Sequence, residues 1–72
     1  MSMRLNGSAI RVIRERTGLS ITAAANAAGV TQPTWSNWER GKRRATPANV
    51  QAICEVLRID DKTAILAVPE VA

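Results

Sequence analysis

The sequence contains no histidine, no phenylalanine and no tyrosine, and one cysteine in 72 residues. A lone Cys54 cannot close a disulfide within the chain, and without histidine a Cys/His metal site is excluded as well. There is no histidine base, no carboxylate pair beside a nucleophile and no glycine-rich phosphate loop, so an enzyme is not expected. No apolar run approaches the ~20 residues that a membrane-crossing helix needs, and residues 1 to 10 lack the apolar core of a signal peptide. The default expectation is a soluble chain in a reducing, cytoplasmic setting, with no membrane, metal or cofactor.

Apolar residues make up 46% of the sequence, which suits a folded domain rather than a disordered one. Much of this is alanine, which favours helix and leaves a thin, close-packed core. The β-branched residues never alternate over a long run, so strands are not expected. A chain of this length makes one small domain, residues 1 to 72, with a core spanning 5 to 67. The charges are uneven. Residues 1 to 44 hold eight Lys or Arg against Glu15 and Glu39. Residues 45 to 72 hold Arg58 and Lys62 against four acids, and the whole is +4. Positive charge gathered in one part points to a polyanion.

Helix signals divide the chain clearly. Asn6 is a fit N-cap, with Leu5 before it and Ile10 four residues into the helix, as in a hydrophobic staple. Gly18 supplies the stop, giving a first helix over 7 to 17. Ser20 caps a second helix over 21 to 28, ended by Gly29. Thr31 caps a third over 32 to 40, with Pro33 tolerated in its first turn and Gly41 after it. Thr46 and Pro47 open a fourth, whose apolar face is Val50, Ile53, Cys54 and Leu57. Cys54 reads there as core filler. Asp60 is placed to cap a last short helix, "DKTAILAV", stopped before Pro69, with 69 to 72 a loose tail. The expected fold is an all-α, compact bundle of four to five short helices.

The second and third helices are separated by a few residues around Gly29, which is helix-turn-helix spacing. Ala25 and Gly29 are small where such helices cross, and Val30 fills the space beneath the turn. Trp35 and Trp38 stand three apart and share a face. Ala23, Ala24, Ala25, Ala27 and Ala28 leave interhelical space that two indoles can fill, each burying roughly 150–250 Å². The rival use of the indoles, stacking on single-stranded bases, would need them on the outer face.

The stretch "GLSITAAANAAGVTQPTWSNWERGK" resembles the helix-turn-helix of the Cro and phage-repressor class, the XRE-like regulators. The matching residues are Gly18, Leu19, Ser20, Ala25, Ala28, Gly29, Val30, Thr31, Thr34, Ser36, Glu39, Gly41 and Lys42. "AIRVIRERTG" and "TPANVQAICEVLRID" match the first and fourth helices of the same class, so the resemblance covers about residues 5 to 60. Ile21 departs from it, since the class usually opens its second helix with Gln or another polar residue that touches a phosphate and braces the recognition helix. The N-terminal backbone amides of that helix remain for the phosphate. Ala24 and the two Trp positions also depart, with a small residue on one helix opposite large ones on the other.

The resemblance implies a λ-repressor-like domain that binds double-stranded DNA, with the helix at 32 to 40 in the major groove. It places base contacts on Gln32, Pro33, Ser36 and Asn37. Gln and Asn can pair bidentately with adenine, worth about 1–3 kcal/mol of discrimination each. Thr34, Arg40, Lys42, Arg43 and Arg44 fall where the phosphate backbone passes. Arg14 and Glu39 match an ion pair between the first helix and the end of the recognition helix, which orients that helix. A Cro-like repressor follows, in a bacterial cell and with a phage origin left open. It would act as a homodimer on a near-palindromic operator. The apolar stretch Ile65, Leu66 and Val68 is the candidate dimer contact, against the simpler use of closing the monomer's own core. Two other readings stay open: an antitoxin-type module that also grips a protein partner, and a factor that bends DNA in recombination or chromosome architecture.

Overall fold

A computed structural model describes residues 4–42 and 44–66. Arg43, position 67, Val68 and the 69–72 tail lie outside the described residues. Four α-helices form: α1 Gly7–Thr17, α2 Ile21–Ala28, α3 Gln32–Glu39 and α4 Pro47–Leu57. A 3₁₀ turn, Lys62–Ile65, follows. Among the described residues there is no strand, and Leu5 and Leu66 form an isolated antiparallel bridge.

Each α-helix begins where a short polar side chain can take an otherwise orphaned backbone donor. Asn6 Oδ1 accepts from Ala9 N–H at 3.2 Å, and Ser20 Oγ from Ala23 N–H at 3.0 Å. Thr31 Oγ1 accepts from Thr34 N–H at 3.4 Å, and Thr46 Oγ1 from Asn49 N–H at 3.2 Å. Such caps contribute about 1 kcal/mol apiece. The helix ends are equally regular. After α3 the chain closes a Schellman motif, with Lys42 N–H donating to Asn37 C=O and Gly41 N–H to Trp38 C=O.

α3 ends at Glu39 with Arg40 as its C-cap, one residue earlier than the sequence suggests. The last element departs further. In place of an α-helix the chain makes four residues of 3₁₀, capped by Asp61 rather than Asp60. Asp61 Oδ1 accepts from Thr63 N–H at 3.0 Å, an Asx-type bond that commits the backbone to a tight turn. Leu66 then leaves in extended conformation to pair with Leu5. Asn6 N–H donates to Ile65 C=O at 2.8 Å, so residues beside α1 hold this turn in place.

One cluster of buried side chains joins all the elements: Leu5, Ile10, Ala24, Ala25, Trp35, Trp38, Ala45, Val50, Ile53, Leu57 and Ile65. Both indoles are fully buried, edge to face, with ring centroids 5.7 Å apart. Of the α2 alanines only Ala24 and Ala25 face this core; Ala28 is half-buried, and Ala23 and Ala27 are exposed. The indoles therefore meet two methyl groups, not five, and α2 lies close against them. Cys54 is half-buried at the core's edge rather than inside it. Ile65 is fully buried, so it closes the monomer's own core and is not available to a second chain. Leu66, half-buried, packs against the same cluster.

Candidate nucleic-acid interface

The turn between α2 and α3 is set by Gly29, whose φ of 74° is costly for residues with a Cβ. Gly29 N–H donates to Asn26 C=O and Val30 N–H to Ala25 C=O, which ends α2 sharply. Thr31 then restarts the chain as the α3 cap. At 3.6 residues per turn, positions 32, 33, 36, 37 and 40 share the side of α3 away from Trp35 and Trp38. Gln32 and Pro33 are exposed, and Ser36 and Asn37 are half-buried. Thr34 sits at the margin, half-buried, with its hydroxyl 2.8 Å from that of Thr31. Arg40, Lys42 and Arg44 are exposed at the end of α3 and in the loop before α4.

What fixes this face is a network at the other end of the helix. Arg14 Nε donates to Glu39 Oε2 at 2.6 Å and Nη2 donates to Oε1 at 3.3 Å. The third nitrogen, Nη1, donates to Leu19 C=O at 2.8 Å, and Trp35 Nε1 donates to Glu39 Oε2 at 2.5 Å. Both charged side chains are deeply buried, at 10% and 6% exposure. The arginine thus ties the end of α3 to the loop that follows α1. The carboxylate, inside the basic part of the chain, accepts from three donors. Trp38 Nε1, by contrast, has no partner among the described residues.

Three contributors are not apparent from sequence patterning. Gly7 is one: a Cβ there would lie 2.2 Å from the Glu39 carbonyl oxygen, so the start of α1 rests directly on the end of α3. A glycine just after a cap residue gives no signal of this, because the constraint comes from another helix. Trp35 as a donor to Glu39 is the second, and its i, i+4 spacing is a legible hint. Thr22 is the third. Its hydroxyl donates to Gln32 Oε1 at 3.2 Å, linking the first turns of α2 and α3. Ile21, one residue earlier, packs against the core instead.

Two packed helices joined through a glycine turn, the second with a polar outer face and a basic end, define a helix-turn-helix domain. The profile described as "Helix-turn-helix domain" matches residues 7–64, and the chain belongs to this family, in its Cro and phage-repressor (XRE-like) branch. Solved structures agree. The restriction-modification controller protein C.AhdI from Aeromonas hydrophila shares 26% identity at a TM-score of 0.75, over 81% of this chain and 86% of its own. The DNA-binding domain of the P22 C2 repressor shares 28% at 0.72, over 81% and 76%. The clp gene regulator ClgR from C. glutamicum shares the fold, with 24% identity at 0.76, over 81% and 74%. No curated protein matches the chain. Among the described residues no helix is long and apolar enough to cross a membrane.

Proposed function

We propose that this chain is a sequence-specific, double-stranded DNA-binding transcriptional regulator, a Cro-like repressor that lays α3 in the major groove. The observation that carries the reading is the division of α3. Both indoles are spent in the core, while exposed Gln32 and Pro33 and half-buried Ser36 and Asn37 share the opposite side of the helix, next to Arg40, Lys42 and Arg44. Groove-facing amides read base edges, and guanidinium and ammonium groups at the helix end follow the phosphates. Pro33 offers an apolar contact of the kind a thymine methyl takes. Thr34 and Arg43 complete the backbone set in this reading, and the Arg14–Glu39 pair holds the helix at its angle. The names of C.AhdI and of the P22 C2 repressor domain, a controller and a DNA-binding repressor, support it.

One such helix spans only a few base pairs, so two copies on a two-fold site supply the specificity. Selection of bound sequences from random duplex DNA, followed by footprinting, tests the proposal. The expected result is a near-palindrome with half-sites about 34–36 Å apart, centre to centre. Asn37→Ala should relax preference at one base per half-site without unfolding the chain. Recovery of no common sequence, or of single-stranded DNA in preference to duplex, would overturn it.

A further inference from the structure

α3 carries no charge from Gln32 to Trp38. Its one acid, Glu39, is turned inward at 6% exposure onto Arg14 and Trp35. The first cation on its outer side is Arg40, the C-cap, about 12 Å along the axis from Gln32 at 1.5 Å per residue. Between these limits the outer side offers exposed Gln32 and Pro33 and half-buried Ser36 and Asn37. Each base makes its own demand in the major groove. Guanine shows two acceptors, O6 and N7, which the donors of an Arg or Lys satisfy. Cytosine shows the N4 donor, which a carboxylate takes. This stretch of α3 presents neither residue type. A primary amide instead sets a carbonyl acceptor beside N–H donors. On adenine that mixed edge pairs with N6–H and N7, whereas on guanine the carbonyl meets a second acceptor.

We infer that the base pairs read by Gln32, Pro33 and Asn37 are all A·T or T·A, so that the operator half-site holds no G·C pair at the positions these three side chains read. The inference rests on the DNA-reading function proposed above and adds the kind of sequence that is read. Pro33 acts by exclusion as well as attraction. Its ring carries no polar group, and the residue is exposed in the first turn of α3. A thymine C5-methyl packs on such a ring. A cytosine there would have its N4 amino group covered with no acceptor in reach, and an unpaired donor is costly. Ser36 both donates and accepts, so it admits either kind of pair. Arg40, Lys42 and Arg44 stand beyond this stretch and, in the reading above, meet phosphates, which carry no sequence. The burial of Glu39 then has a second effect: it removes from the outer side the one carboxylate of α3 that could take a cytosine N4–H.

The test uses the full chain and selection from random duplex DNA. Repeating the selection with Gln32→Ala, Pro33→Ala and Asn37→Ala marks the pairs that each side chain reads, as those where preference collapses. The three residues lie outside the core, and a urea melt checks that each variant is folded. Every marked pair should be A·T or T·A in wild type, preferred over G·C by about fivefold or more, the lower range for a base contact. Replacing the thymines of the selected duplex by uracil, one at a time, removes the methyl. One such change per half-site should weaken wild type about fourfold, the worth of one buried carbon, and leave Pro33→Ala unaffected. Asn37→Arg supplies the missing guanine partner and should move its marked pair to G·C. A G·C pair preferred by wild type at any marked position overturns the inference and leaves the function standing. So does a uracil series with no sensitive thymine, or an Asn37→Arg protein that still requires A·T. A wild type that selects no sequence, or whose selection none of the three alanine variants alters, removes the function itself, which is a separate and earlier failure.

Discussion

Glu39 is a carboxylate within the most basic part of the chain, and what surrounds it decides what it can do. Three N–H groups from Arg14 and Trp35 occupy it, so it presents little charge to an approaching phosphate. Removing either partner strands a buried charge. Arg14→Met or Glu39→Gln should therefore destabilise the fold by about 3–5 kcal/mol in urea melts. The double variant Arg14→Met/Glu39→Leu should regain part of this but not all, because the Leu19 carbonyl and the Trp35 indole would each lose a partner. The two tryptophans give a matched comparison. Both are fully buried, but Trp35 donates to a carboxylate while Trp38 Nε1 donates to nothing among the described residues. Trp35→Phe should cost more than Trp38→Phe by about 1.5–3 kcal/mol, the value of a hydrogen bond to a charged group. At Cys54, burial pushes the thiol up from its ordinary value of 9.0; Lys62 pulls it down and Asp61 raises it further, both to lesser degrees. A raised thiol favours the folded state below its unfolded pKa. That contribution is lost as pH rises through the folded value, so alkylation of Cys54 should need a more alkaline solution in the folded chain than in urea.

At the scale of elements, a left-handed residue follows each α-helix, and it is glycine after α1, α2 and α3 but not after α4. α4 ends on Arg58, whose φ of 56° is a left-handed conformation. That conformation costs a residue with a Cβ about 1–2 kcal/mol, while glycine loses about 0.5–1 kcal/mol of chain entropy on folding. Arg58→Gly should accordingly stabilise the protein slightly, by about 0.5–1 kcal/mol in urea unfolding. The same scale shows why some elements were legible in the sequence and others were not. Asn6, Ser20, Thr31 and Thr46 announce their helices because capping is a local interaction, settled within three residues. The turn at Gly29 is legible for the same reason. The last element was not, since its backbone is decided by the Asp61–Thr63 bond and by Leu5, which lies far away in sequence. Gly7 and Thr22 leave no such local mark in the sequence, because each matters through a partner on a different helix. The inward turn of Trp35 and Trp38 followed from their spacing against a helix of alanines, although the number of alanines they meet did not.

At the scale of the whole molecule, a chain this short buries a modest fraction of its surface, and a bound partner adds to its stability in proportion to occupancy. In the proposed complex, a duplex at one hundred times its Kd should stabilise the fold by about 2.7 kcal/mol. If Arg40, Lys42, Arg43 and Arg44 each neutralise one phosphate, log K should fall with log salt at roughly −3.6 per subunit, and Arg44→Ala should reduce that slope by about 0.9. Equilibrium titrations at several salt concentrations check both values. An unchanged slope in Arg44→Ala would take that side chain off the backbone contacts. With Ile65 inside the core, any two-fold contact must use other surfaces, so Ile65→Ala should reduce stability before it alters association.

The chain's entire aromatic content is one pair of indoles packed edge to face in the buried core. Near-ultraviolet signals can therefore arise from no other ring. Emission should shift to the red on unfolding and stay almost unmoved when duplex DNA is added, so intrinsic fluorescence would track the integrity of the fold and remain blind to docking. A ligand that dims it without melting the protein must have reached the centre of the molecule.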